Sequence, residues 1–171
     1  MKTCKKLPRV MDSDLPLPYD YVRDGEWRYT FITRDGIHYN LYFLPLSELY
    51  PQFPDTYSFN IVAIERTPHP IDRRIAATVV DVLRRFFSNH VNAMIMVCDS
   101  IDGKERKRRM LFDYWFGLYN DGTISKMDAS ASTPDYEMFL SLYYRNDNPN
   151  RTQLLAAFRD LTNHDLYEII V

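Results

Sequence analysis

The chain has 171 residues, 46% hydrophobic and 26% charged, with a formal net charge of -2. That length can bury a core without disulfides or metals, and a balance so near neutral gives no overall field for nucleic acid or membrane. Any partner therefore has to be sought in local patches. The two cysteines, Cys4 and Cys98, make neither a disulfide framework nor a zinc spacing. The opening MKTCKKLPRV is basic, but no apolar stretch follows it, and no run reaches the roughly 18 apolar residues of a membrane helix. The expectation is a cytoplasmic protein with no membrane partner: an N-terminal arm over 1–14 and one domain over 15–171.

Residues 15–18 still carry Pro16 and Pro18 and show no periodicity. The first regular signal is 27–33 (WRYTFIT), then Arg34-Asp35-Gly36, then 37–44 (IHYNLYFL). Both runs alternate and are rich in β-branched and aromatic residues, and Asp-Gly between them marks a hairpin. Trp27, Tyr29, Phe31 and Thr33 share one face, as do Ile37, Tyr39, Leu41 and Phe43. Three prolines make 45–56 a loop, and 57–66 (YSFNIVAIER) reads as a third strand. Asp72 is a natural N-cap for a helix whose Ile75, Val79, Val82, Leu83, Phe86 and Phe87 form one apolar stripe, with Asn89 as its stop.

The run 93–98 (AMIMVC) has strand length and is apolar throughout, as in a strand buried on both faces. Asp99, Ser100, Asp102 and Gly103 turn the chain into a second helix over about 104–118, with Asp102 as its N-cap. Residues 121–134 read as loop or weak strand, 136–145 as a last strand, and 150–161 as a final helix. The order βββ-α-β-α-(β)-β-α predicts an α+β fold. Its sheet is mainly antiparallel, starts with a β-meander, and carries about three packed helices. The hairpin edge is open to pairing with a second copy, which allows a homodimer.

The chemistry concentrates in 98–116, CDSIDGKERKRRMLFDYWF. A thiol, two carboxylates and a basic first turn stand where a buried strand leaves the sheet, next to a helix start whose N–H groups attract anions. A cysteine-phosphatase loop does not fit: Lys104 replaces the arginine six residues after Cys98, and Asp99 and Asp102 would repel a dianion. Asp99 and Asp102, with Glu65 or Asp72, could instead form a metal or acid/base site for a small hydrolase or phosphoryl-processing enzyme. Their simpler role is to order a turn and cap a helix. Lys104 to Arg109 could hold nucleic-acid phosphates, although Glu105 with Arg109 and Arg109 with Asp113 stand at ion-pair spacing.

The candidate polar cluster is Asp72, Arg73, Cys98, Asp99, Asp102, Arg106 and Arg109. It is either a closed Asp–Arg network or a pocket for an anionic ligand. The four histidines complete no catalytic set, and the five glycines make no phosphate loop. No cofactor or metal is indicated.

The segments LPLPYDY (15–21), YTFITRDGIHYNLYF (29–43), DRRIAATVVDVLRRFF (72–87) and VCDSIDGKERKRRMLFDYWF (97–116) resemble a family of small uncharacterised Bacteroidetes proteins, a domain of unknown function. The likeness covers about 15–160, with Asp72-Arg73, Cys98-Asp99, Asp102, Arg109, Phe112 and Trp115 as its signature; Gly103-Lys104 departs from the basic pair expected there. The resemblance implies one whole domain and no particular activity. The resulting expectation is a non-catalytic binding or regulatory module that holds a protein or an anionic ligand on its Asp/Arg surface.

Overall fold

The computed structural model describes residues 15–65, 71–99, 103–132 and 134–165. Its strands are β1 (Tyr21–Arg23), β2 (Arg28–Ile32), β3 (His38–Pro45), β4 (Thr56–Ala63), β5 (Ala93–Asp99), β6 (Ile124–Ser132) and β7 (Glu137–Arg145). Its helices are α1 (Arg73–Phe86), α2 (Glu105–Tyr119) and α3 (Arg151–Asp160), the last continued by a π-helical turn, Leu161–Asp165. Among the described residues, no helix is long and apolar enough to cross a membrane. The seven strands form one sheet in the order β1-β2-β3-β4-β5-β7-β6, antiparallel except where β4 meets β5. The α+β expectation, with an opening meander and three helices, agrees with this architecture.

The hairpin closes at Gly36, whose φ of +77° suits a residue without a Cβ, while Thr33 N–H donates to Ile37 O at 2.9 Å. Its register sets Phe31 opposite Tyr39 and Tyr29 opposite Leu41. Alternation then turns those residues, with Phe43 and Phe59, onto one sheet face. There they meet the apolar stripe of α1 and, farther along the sheet, Phe112 of α2. Phe86 is the hub, fully buried, with ring centroids of Phe43, Phe87, Trp27 and Tyr57 at 4.2, 5.0, 5.3 and 5.4 Å. On the opposite face α3 covers β5, β7 and β6, burying Ile95, Leu140, Leu142, Leu154 and Phe158. No described helix lies over that face of β2–β4, where Ile32, Leu44 and Val62 are exposed.

Several expectations need correction. A short strand, β1, precedes the hairpin and pairs with Tyr29 to Phe31, so β1 and not β2 is the outermost strand on that side. Residues 124–132 form a full nine-residue edge strand. Polar residues Lys126, Asp128 and Ser130 alternate with Met127, Ala129 and Ala131, which dilutes the apolar signal of a one-sided strand. The N-cap of α2 is Lys104 rather than Asp102, and no side chain caps it. The first helix stops at Phe86, before Asn89. Val97 in β5 is 44% exposed where burial on both faces was expected.

Candidate functional site

The exposure of Val97 follows from how β4 and β5 part. Their parallel ladder pairs only Thr56, Tyr57 and Ser58 with Ala93, Met94 and Ile95. Beyond it β4 stays on β3 as far as Ala63, and β5 stays on β7 as far as Asp99. The two strands thus diverge toward their carboxyl ends and leave a fork in the middle of the sheet.

The hydrogen-bond pattern shows which groups line the fork. Leu46 N–H donates to Thr56 O and Ile64 N–H to His38 O, both at 2.9 Å, so the even-numbered residues of β4 turn to β3. By alternation the N–H and C=O of Ile61 and Ala63 turn the other way, toward the gap. Ala93 N–H donates across to Asp55 O at 2.9 Å, so Val97, four residues on, turns its N–H and C=O to the gap from the β5 side. Among the described residues no backbone partner is paired with them. Backbone groups away from water normally find partners, so an opening of this kind is receptive to an extended chain.

Two helix starts stand at the open end, because α1 follows β4 and α2 follows β5. Asp72 caps α1: its Oδ1 accepts from Arg74 N–H at 2.9 Å, and its Oδ2 accepts from the Tyr19 hydroxyl. Tyr19 in turn accepts from Arg34 N–H at 3.0 Å and stacks beneath the Arg74 guanidinium, 4.0 Å from its ring centroid. Arg74 also donates to the carbonyls of Leu17 and Pro18, so residues 17–19 are laced to α1. Asp72 is therefore a fastening for the chain's first described segment. Arg73 is exposed in the first turn of α1.

The other members of the sequence-derived cluster are spread out. Arg106 makes a bidentate pair with Glu137 of β7, at 2.8 and 3.1 Å. Arg109 lies 3.7 Å from Asp113 and over the Phe139 ring at 4.4 Å. Cys98 is reduced and 2% exposed, on the sheet face beneath α2. Glu65, the suggested fourth carboxylate, accepts from both the backbone and the ring of His38, which lower its pKa. Asp102 lies outside the described residues, and so does the side chain of Asp99. The structure therefore brings Arg106 and Arg109 to acids on α2 and β7, and unites neither with Arg73. Among the described residues, no group of three or more His, Cys, Asp or Glu could hold a metal.

A second polar centre escaped the sequence reading. Lys126, with a side chain 10% exposed, donates to Asp113 of α2 and lies 2.9 Å from Asp128 of β6. Ser141 of β7 donates to Asp128 at 2.6 Å. Beside them the Tyr143 hydroxyl is buried, with no hydrogen-bond partner of good geometry among the described residues. Burial pushes this phenol's pKa well up. An unmet buried hydroxyl costs about 1–3 kcal/mol. The only advance signal was the strict alternation Lys126-x-Asp128 against Ser141-x-Tyr143, which needs the β6–β7 register to become a cluster.

An open mixed sheet of seven strands with three helices, whose one parallel pair, β4 and β5, ends after three residue pairs, defines an α+β domain. The chain belongs to the Family of unknown function (DUF6169), whose model matches residues 71–160. That span runs from α1 through α3 and includes the β5 side of the fork. No curated protein matches the chain. Among solved structures a CoA-dependent acyl-homoserine lactone synthase, MesI, is similar at 12% identity with a TM-score of 0.37, over 80% of this chain and 69% of that chain. A likeness of that degree carries no argument about fold or chemistry.

Proposed function

We propose that this domain is a non-catalytic binding module that takes an extended, amide-bearing chain with a phosphate-rich end into the fork between β4 and β5. The observation that carries the reading is the early end of the β4–β5 ladder, which turns backbone groups of Ile61, Ala63 and Val97 to an open gap. An amide-bearing chain can pair with such groups as an added strand would.

The preference for an anionic end comes from the surroundings of the opening. Arg73 stands in the first turn of α1, and Arg106, Lys107, Arg108 and Arg109 follow the N-cap Lys104 and the single acid Glu105 in the first turns of α2. The N-terminal dipoles of both helices add to that field. The chemistry of the cluster speaks for binding rather than turnover: Cys98 is buried, Asp72 is occupied as a cap, and Arg106 already holds Glu137.

Isothermal titration calorimetry with coenzyme A tests the reading, because this molecule joins two amides on an extended arm to a phosphate-rich end. Adenosine diphosphate supplies the phosphates without the arm. Coenzyme A binds more tightly than the diphosphate, its affinity falls as salt rises, and it is recovered chemically unchanged. Ala63→Pro removes an N–H that faces the gap and not β3, and it weakens coenzyme A binding about tenfold or more. Equal binding of the two nucleotides, unchanged binding to the variant, or chemical conversion of the ligand would each contradict the proposal.

A further inference from the structure

The two edges of the sheet differ. One ends in β1, three residues long; the other is β6, nine residues long and paired with β7 at every position from Ile124 to Ser132. Edges are usually blunted by shortness, proline, a bulge or charge. β6 has no proline and no bulge, and its two charged residues, Lys126 and Asp128, are engaged with each other at 2.9 Å.

The ladder shows which backbone groups face outward. Asn146 N–H donates to Thr123 O at 2.9 Å, so the odd-numbered residues of β6 turn to β7 and the even-numbered ones to the free edge. The first of these, Ile124, is already covered. Its C=O accepts from the Asn120 side-chain amide at 2.8 Å, and its N–H donates to the same side chain at 3.3 Å. Lys126, Asp128, Ser130 and Ser132 remain, and among the described residues no backbone partner is paired with them on that side. Asp128, Ser130 and Ser132 are exposed.

We propose that this edge pairs with the same edge of a second copy, antiparallel about a two-fold axis at Ala129. That axis sets Asp128 opposite Ser130 and Lys126 opposite Ser132 of the second copy, so all four outward residues exchange both backbone bonds. An axis at Asp128 would bring the two Asp128 carboxylates face to face, which is unfavourable. An axis at Met127 would place Ser130 against Ile124, which Asn120 holds. The pairing of Asp128 with Ser130 is complementary. Lys126 and Ser141 both use Oδ1 of Asp128, leaving Oδ2 with no partner among the described residues, and the side chain is 42% exposed. Oδ2 then accepts from the Ser130 hydroxyl of the second copy.

The test follows the mass of the full chain by sedimentation equilibrium from micromolar to millimolar concentration, where a monomer–dimer equilibrium is expected. Ser130→Pro removes an outward N–H and leaves the β7 ladder intact, and it weakens dimerisation about tenfold or more. Should that variant fail to fold, Ser130→Asp sets carboxylates of the two copies against each other and gives a comparable loss. Ala129→Cys reads the register: facing Cα atoms at the axis stand about 4.5 Å apart, within disulfide reach, and mild oxidation yields a covalent dimer. Met127→Cys yields none, since it faces Ala131 of the second copy. The proposal is overturned if the chain stays monomeric at millimolar concentration, if neither Ser130 variant weakens the dimer, or if Met127→Cys cross-links as well as Ala129→Cys. A monomer whose Lys126, Asp128 and Ser130 amides resist hydrogen exchange would overturn it too, since another segment of this chain would then cover the edge.

Discussion

The two halves of the sheet are built to different standards of enclosure. In the meander half, β2 and β3 bury alternate residues on the single face that α1 covers, and the register Phe31–Tyr39 and Tyr29–Leu41 repeats that alternation across the pair. In the other half β7 buries seven consecutive residues, Met138 to Tyr144, because α2 lies on one face and α3 on the other. The family match, residues 71–160, covers this doubly enclosed half together with α1. Where the two kinds meet, at β4 and β5, the ladder ends after three pairs. The fork is thus the seam between two differently built halves.

Four perturbations sharpen or break that contrast. Phe86→Ala has the largest expected effect, about 3–5 kcal/mol, because one fully buried ring holds Trp27, Phe43 and Tyr57 of the meander half to α1. Urea unfolding measures it, and a loss below that of an ordinary surface substitution would show that the meander is held by something else. Asp72→Ala removes the cap from α1 and the acceptor of Tyr19 together, and it costs about 1–2 kcal/mol in the same assay.

Alkaline pH gives a smaller effect with a definite sign. Burial, and then the hydrogen bond to Asp81, push the Tyr21 phenol from 10.0 up to about 12. The folded state therefore keeps this proton where the unfolded state loses it. The contribution is fully present below pH 10 and declines between 10 and 12, by about 1 kcal/mol after allowance for partial exposure. Tyr21→Phe flattens that part of the stability profile; an equally steep decline in the variant would refute the assignment. Arg106→Ala has the least effect, no more than an ordinary surface substitution, because its pair with Glu137 is exposed on the arginine side. A larger loss there would mean that the charged turn supports the enclosed half.

The fold was largely legible because its signals are local: Asp-Gly between alternating runs, Asp72 before an apolar stripe, an unbroken apolar strand at 93–98. The strand over 124–132 was obscured by its own polar face, and β1 is too short to show a period. The site was harder to read for a different reason. Ion-pair spacing along α2 pointed correctly to Arg109 with Asp113, whereas Arg106 with Glu137 and Lys126 with Asp113 depend on which strand lies under the helix. The fork is a property of backbone pairing, which no side-chain pattern encodes. Only the charge around its mouth stood out in the sequence.

Residue-resolved amide hydrogen exchange by NMR tests the fork most directly. In the unliganded protein the amides of Ile61, Ala63 and Val97 exchange fast, while those of Asn60, Val62, Met96 and Cys98, turned to β3 and β7, are protected. Saturating coenzyme A protects the first set and leaves the second unchanged. Protection of Ile61, Ala63 and Val97 without ligand, equal to that of their neighbours, would mean that the gap is already closed and would contradict the account.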